Sequence, residues 1–392
     1  MVVMLFNVRW LWFQALEISK RFDYLCAMST IADKMNKTPW LYIVTCLLGL
    51  AFIAIKFTDH EVPQGGAVVI LEVILLGFAV FGAVHHAEIL ATKTGEPLGS
   101  IVLALAVTII EVALIISQMA AGKPGAEYIG RDTVFATIMI VLNGVVGLGL
   151  LIGAARHYEQ KFNLDGATSA LSVLGTLAAS ALILPNFTVA AAGPFYSNSQ
   201  LAFVAVVSIT LYAIFVFVQT VRHNQDFSSK NQLTAPVAKP SFRIVFISGV
   251  FLPLTLLIVV LMAKLLSPSV ASSIQAAGLP ASFLGVIIAS LVLLPEGFAA
   301  LRAARNNDLQ TSLNHALGSA IATIGLTIPT LAAYSLWHGQ NLALGISSTS
   351  TALLVLTLFI GSVTLATGRT TILQGAVHLV IFGIYIFLSA TP

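Results

Sequence analysis

Two glutamates stand where an apolar sequence has least use for a charge. Glu111 lies in SIVLALAVTIIEVAL, residues 100–114, and Glu296 in GVIIASLVLLPEGFA, residues 285–299. A carboxylate at the centre of a membrane-spanning helix costs about 2.5–3.5 kcal/mol on insertion scales, so it marks an ion path, a proton relay or a ligand site by default. Laid over each other without a gap, the two stretches bring Glu111 onto Glu296, each eleven residues after Ser100 or Gly285. Apolar sequence matches itself easily; the coincident acids carry the information. Two carboxylates at one depth, with amide, hydroxyl and backbone oxygens nearby, form a hard-oxygen cage that suits Ca2+ and, less selectively, Na+ or K+. Burial favours the protonated form of a carboxyl, and a second acid nearby favours it further. Cation and proton then compete for one group.

Each acid is followed by a polar span. IVLNGVVGLG supplies Asn143, and ALGSAIATIGLTIP supplies Ser319 and Thr323. Asn143 and Ser319 join Glu111 and Glu296 as the expected cation and proton site, although small polar residues serve helix packing equally well. A lone intramembrane glutamate has the same bland reading, as glue between helices, but a matched pair fits it poorly. Four further residues are candidates for proton relay or pH sensing: Glu72, Glu88, His85 and His86. Glu72 is expected near one end of its span, where a snorkelling acid is the competing reading. His85, His86 and Glu88 cluster where the same span reaches the other surface. Histidine titrates in the physiological range, whereas the plainer reading is a solvated interface cluster. Pro295, Pro329, Gly144 and Gly325 offer places to break helices beside the acids.

The elements that must hold these residues follow from composition. Of 392 residues, 58% are hydrophobic and only 9% charged, and the mean hydropathy is +0.96. No water-facing surface accommodates that composition. The chain reads as an all-α polytopic membrane protein, with the lipid bilayer as its surroundings and no nucleic-acid partner. Apolar runs long enough to cross the hydrocarbon recur at 39–57, 67–87, 98–121, 133–155, 167–190, 199–220, 244–266, 280–301, 310–335, 342–366 and 370–389. That makes about eleven spans. Sorted onto alternating sides, the lysines and arginines divide fifteen to four. The positive-inside rule places the amino terminus and the 223–243 linker in the cytoplasm and the carboxyl terminus outside. Glu111 and Glu296 are five spans apart, so their surroundings enter the membrane from opposite sides, an arrangement that puts substrate at the midplane between inverted halves.

The expected organisation is a cytoplasmic extension over 1–38, a leading helix over 39–66, a first five-helix repeat over 67–222, the 223–243 linker and a second repeat over 244–392. Met28 is expected as the natural start, with 1–27 preceding it. Cys26 and Cys46 suggest neither a disulfide framework nor a metal knuckle. No HExxH, Ser/Lys or Asp/Asp motif points to an intramembrane enzyme, and no cofactor is implied. A passive cation channel lined with acids is the competing class; channels gather rings of charge, whereas one glutamate per half suits alternating access.

HHAEILATKTGEPLGSIVLALAVTIIEVALI and ASFLGVIIASLVLLPEGFAALRAARNNDLQTSLNHALGSAIATIGLTIP resemble the two alpha-repeats of the cation/Ca2+ exchanger superfamily. The resemblance runs from about Pro39 to the end, and FNLDGATSALSVLGTLAASALILP resembles the segment after the first repeat in proton-coupled members. Similarity is greatest to bacterial calcium/proton and sodium–potassium/proton antiporters. It implies one leading helix, two inverted five-helix repeats, and cation coordination by Glu111 and Glu296, with Asn143 and Ser319 beside them. Thr-Ile-Ile-Glu and Leu-Leu-Pro-Glu replace the Gly-Asn-Ala-type turn usual in calcium/proton exchangers, and fewer amide and hydroxyl groups flank the acids.

Overall fold

The computed structural model describes residues 40–58, 66–95, 98–120, 125–228 and 240–391. The expected extension over 1–38 and the 229–239 part of the linker lie outside the described residues. Among the described residues, eleven long helical elements carry the chain. They are α1, Trp40–Thr58; α2, Gly66–Thr94; α3, Leu98–Ala120; α4, Ala126–His157; α5, Leu164–Phe187; and α6, Asn198–Arg222. After the linker come α7, Phe242–Ala276; α8, Phe283–Arg305; α9, Leu309–His338; α10, Ser348–Leu365; and α11, Ile372–Ala390.

The protein is a multi-pass membrane protein. Among the described residues there is no strand, and ten helices are long and apolar enough to cross a bilayer. These ten fall on the second to eleventh expected spans. The first expected span coincides with α1, whose apolar stretch Tyr42–Lys56 is shorter than the others. Helices are the natural choice here, because lipid offers nothing to a free backbone N–H or C=O.

Polar residues end the helices where the backbone must find other partners. Asn163 accepts from the N–H groups of Asp165 and Gly166 at the start of α5. Ser197 with Gln200 closes a capping box at α6, and Thr371 with Gln374 does the same at α11. Asp308 accepts from Thr311 N–H to open α9. The α2–α3 turn is tight: Gly95 has φ 72°, and a Cβ on Gly99 would meet the Ala91 carbonyl at 2.5 Å.

At the centre stand α4 and α9, 83% and 72% buried over their apolar windows, more than any other span. Both depart from α geometry midway, through π-turns at Ile140–Val145 and Thr323–Thr327. A π-turn widens the helix by one residue and commonly marks a functional position. Around this centre α2 lies along α7, α8 packs on α4, α11 on α4, and α6 on α9. Two isolated bridges tie connecting loops, Lys161 to Arg369 and Phe195 to Ala343. The first joins the α4–α5 loop to the α10–α11 loop, and the second joins the α9–α10 loop to the α5–α6 loop.

Candidate cation and proton site

The helices α3 and α8 place the two acids identically. Each is 23 residues long, and Glu111 follows Leu98 by thirteen residues as Glu296 follows Phe283. Their environments differ. Glu111 is only 1% exposed. Its Oε2 accepts a hydrogen bond from Thr327 Oγ1 at 2.9 Å, and the Thr323 hydroxyl also bonds the carboxylate. Both threonines belong to the π-turn of α9 and project toward α3. The remaining oxygen, Glu111 Oε1, is buried with no hydrogen-bond partner.

Glu296 is half-buried and lines a cavity of about 290 Å3. Ser319, Thr323, His315 and Asn314 of α9 and Tyr212 and Gln219 of α6 share that cavity. It extends past Ala91 and Gly99 to Thr311, residues at the adjoining ends of α2, α3 and α9. Toward the opposite ends of α3, α4 and α9, the buried side chains of Ile115, Val134, Phe135, Leu331 and Leu342 pack into the apolar core. Glu296 Oε2 and Ser319 Oγ are both buried atoms without hydrogen-bond partners. Glu111 and Glu88 lie within electrostatic reach of Glu296. Two acids and the Ser319 hydroxyl therefore bring three unsatisfied buried oxygens to this part of the protein, a state normal proteins avoid unless a ligand or proton completes it.

With this geometry in hand, comparison with known proteins is decisive. Residues 64–221 and 247–391 match the family described as sodium/calcium exchanger protein. The chain belongs to that family. It is 48% identical to the Sinorhizobium fredii protein y4hA over 355 residues, which cover 90% of this chain and 96% of that one. It is 32% identical to the Escherichia coli sodium-potassium/proton antiporter ChaA, covering 92% of this chain and 98% of ChaA. Among solved structures, native YfkE, a Ca2+/H+ antiporter, has the same fold, with a TM-score of 0.66 at 17% identity. That match covers 90% of this chain and 100% of YfkE.

Within this exchanger fold, Glu111, Glu296 and Ser319 come together, and Asn143 does not join them. Asn143 is fully buried, and its side chain is already engaged. Its Nδ2 donates to Thr357 Oγ1 at 2.9 Å, while His378 Nδ1 lies 3.1 Å from its Oδ1. His378 Nε2 in turn lies 3.1 Å from Thr364 Oγ1. The Asn143 amide thus knits α4 to α10 and α11. His378 has no evident role in the linear sequence, and its part in this network appears only once the helices are packed.

The secondary candidates scatter. Glu72 is 1% exposed and pairs with Lys56 at 2.8 Å, far along α2 from the cavity. His85 and His86 are corrected from an interface cluster to buried packing residues, 8% and 0% exposed. His85 stacks on Tyr42 with ring centroids 4.4 Å apart, and His86 Nδ1 lies 3.2 Å from Ser248 Oγ. α1 and α7 cover them. Glu88, two residues on, is exposed and is the secondary candidate whose charge reaches Glu296. Thr327 is the partner of Glu111 that sequence reading missed; its signal was a second hydroxyl four residues after Thr323, one helical turn on the same face.

Proposed function

We propose that this protein is a secondary cation/proton antiporter in which Glu111 and Glu296 alternately hold a cation and protons. The observation that carries the reading is the set of unsatisfied oxygens, Glu111 Oε1 and Glu296 Oε2 at matched positions of two like helices and Ser319 Oγ of α9. The family and the antiporter relative agree with it. Charge balance at the midplane gives the cycle its rule. Two bare carboxylates are too costly to carry through a conformational switch, so the site crosses with two protons, with one divalent cation, or with one monovalent cation and one proton. Cytoplasmic Ca2+ leaving against two external protons is the reading we adopt. Ser319, Thr323 and Thr327 complete its oxygen shell, and Ca2+ takes 6–8 such ligands.

A second reading, exchange of Na+ or K+ for one proton, has its own support. By the alignment that puts Glu111 over Glu296, Thr323 and Thr327 fall over Ile138 and Leu142. Both are buried and apolar, and the hydroxyls that α4 does carry, Thr133 and Thr137, are buried elsewhere on that helix. The overlapping π-turns of α4 and α9 and the reciprocal loop bridges support inverted repeats. The fifteen-to-four charge bias supports a cytoplasmic amino terminus; a carboxyl-terminal reporter found on the cytoplasmic side would contradict it.

Proteoliposomes holding an internal pH dye test the whole. Adding Ca2+, Na+ or K+ in turn should move protons in fixed proportion to the cation, with no net current required. A cation flux with no proton movement would mean a channel.

A further inference from the structure

A second cavity lies on the outer flank of α3. It has a volume of about 820 Å3 and runs between α3, α7 and α9. One face of α3, from Leu105 to Ala120, forms its floor; Lys264 and Pro268 of α7 and Leu326 and Thr330 of α9 form its walls. At 1.5 Å per residue the α3 floor is about 22 Å long, more than the roughly 15 Å of a single leaflet's hydrocarbon. Lys264 is the one charged residue in the lining. It is exposed, it has no ion-pair partner among the described residues, and it sits two positions before the end of the apolar window at Leu266.

We propose that this groove binds an anionic phospholipid whose headgroup carries hydroxyls, as phosphatidylglycerol does. The acyl chain lies along α3 and the phosphate rests on Lys264 Nζ. Charge complementarity names the occupant, since a lysine at headgroup depth attracts anionic lipid and an apolar channel below it takes only a chain. The polar end offers more than a cation. Pro268 has no N–H to give the carbonyl four residues earlier, which is that of Lys264. Ser117 also lines this end of the groove and makes no hydrogen bond within the described residues. Phosphate finds a donor there and glycerol hydroxyls find acceptors, a set that a choline headgroup does not use.

The location gives the lipid a consequence. Val112 adjoins Glu111 and lines the groove, as do Leu326 and Thr330, which flank the Thr327 that holds Glu111. A seated chain therefore braces the two helices carrying that hydrogen bond. Binding itself is independent of the antiport reading.

Native mass spectrometry of the intact protein, released from nanodiscs of mixed phosphatidylglycerol and phosphatidylcholine, tests it. The wild type should retain phosphatidylglycerol in preference. Lys264→Ala should lower that retention about five-fold, the worth of one basic residue at an anionic surface, and Lys264→Arg should keep it. Ala113→Trp fills the groove while leaving the lysine, and should displace the lipid equally. Lys161→Ala, in a loop, should change nothing. Equal retention of both lipids by the wild type, or full retention of phosphatidylglycerol in both Lys264→Ala and Ala113→Trp, would overturn the proposal and indicate bulk lipid only. Antiport failing while this pattern holds would reject the functional reading alone.

Discussion

Glu111 and Glu296 occupy the same place in like helices, yet one is sealed and the other faces a cavity. Glu111 is enclosed and hydrogen-bonded to Thr327; Glu296 meets a cavity lined by Ser319, His315 and Thr323. On the proposed mechanism part of the difference is conformational. In an alternating-access protein only one side of a midplane site is open at a time, so an acid at the edge of an open cavity and a second one enclosed beyond it are expected of a single shared site. The other part is chemical. The Thr327 hydroxyl of α9 holds Glu111, and under the gapless alignment the α4 positions opposite Thr323 and Thr327 hold Ile138 and Leu142. Two halves can share an architecture without sharing a ligand set.

The largest effect should come from removing either acid. Glu111→Gln and Glu296→Gln keep the shape but cannot release a proton or neutralise a cation. Each should lower vesicle exchange by more than about a hundredfold while the protein stays folded. Near-normal exchange in one of them would remove that residue from the site and end the comparison.

The chemical asymmetry predicts a smaller and directional effect. Thr327→Val takes a hydrogen bond from the Glu111 carboxylate. Hydrogen bonds to charged groups are worth about 1.5–3 kcal/mol, so the half-saturating cation concentration should rise roughly tenfold or more. Leu142→Thr does the reverse on the α4 side, and should favour Ca2+ over Na+ and K+ in a competition measurement. An unchanged ion preference in Leu142→Thr would mean that α4 does not face the ion.

Asn143→Leu should act on stability and leave affinity almost alone. It strands the partners of the amide, His378 and Thr357, and an unsatisfied buried group costs about 1–3 kcal/mol. A lower thermal midpoint with unchanged half-saturation is expected. Weakened affinity without lost stability would return Asn143 to the site.

These contrasts also mark what a linear sequence discloses. Spans two to eleven and the acid pair were legible, because intramembrane charge is rare and apolar length is imposed by the bilayer. The fate of Asn143 was not. Its partner His378 is 235 residues away, and only packing decides whether an amide points at an ion or at a histidine. His85 and His86 were misjudged for a related reason. Their position near a helix end suggested solvent, whereas α1 and α7 close over them through Tyr42 and Ser248. Thr327 stood in plain view in TIGLTIP, but its meaning depends on the π-turn that presents it to α3.

The central claim, that cation and proton compete for the same two carboxylates, is tested most directly by initial exchange rates over cation concentration at a series of pH values. Protonated carboxyls are poor ligands, so the account predicts apparent affinity that weakens as pH falls. The slope should approach about a hundredfold per pH unit for Ca2+ displacing two protons, and about tenfold for Na+ or K+ displacing one. A half-saturation concentration that holds constant while only the maximal rate changes would contradict shared carboxylates. It would point instead to a titrating group remote from the ion.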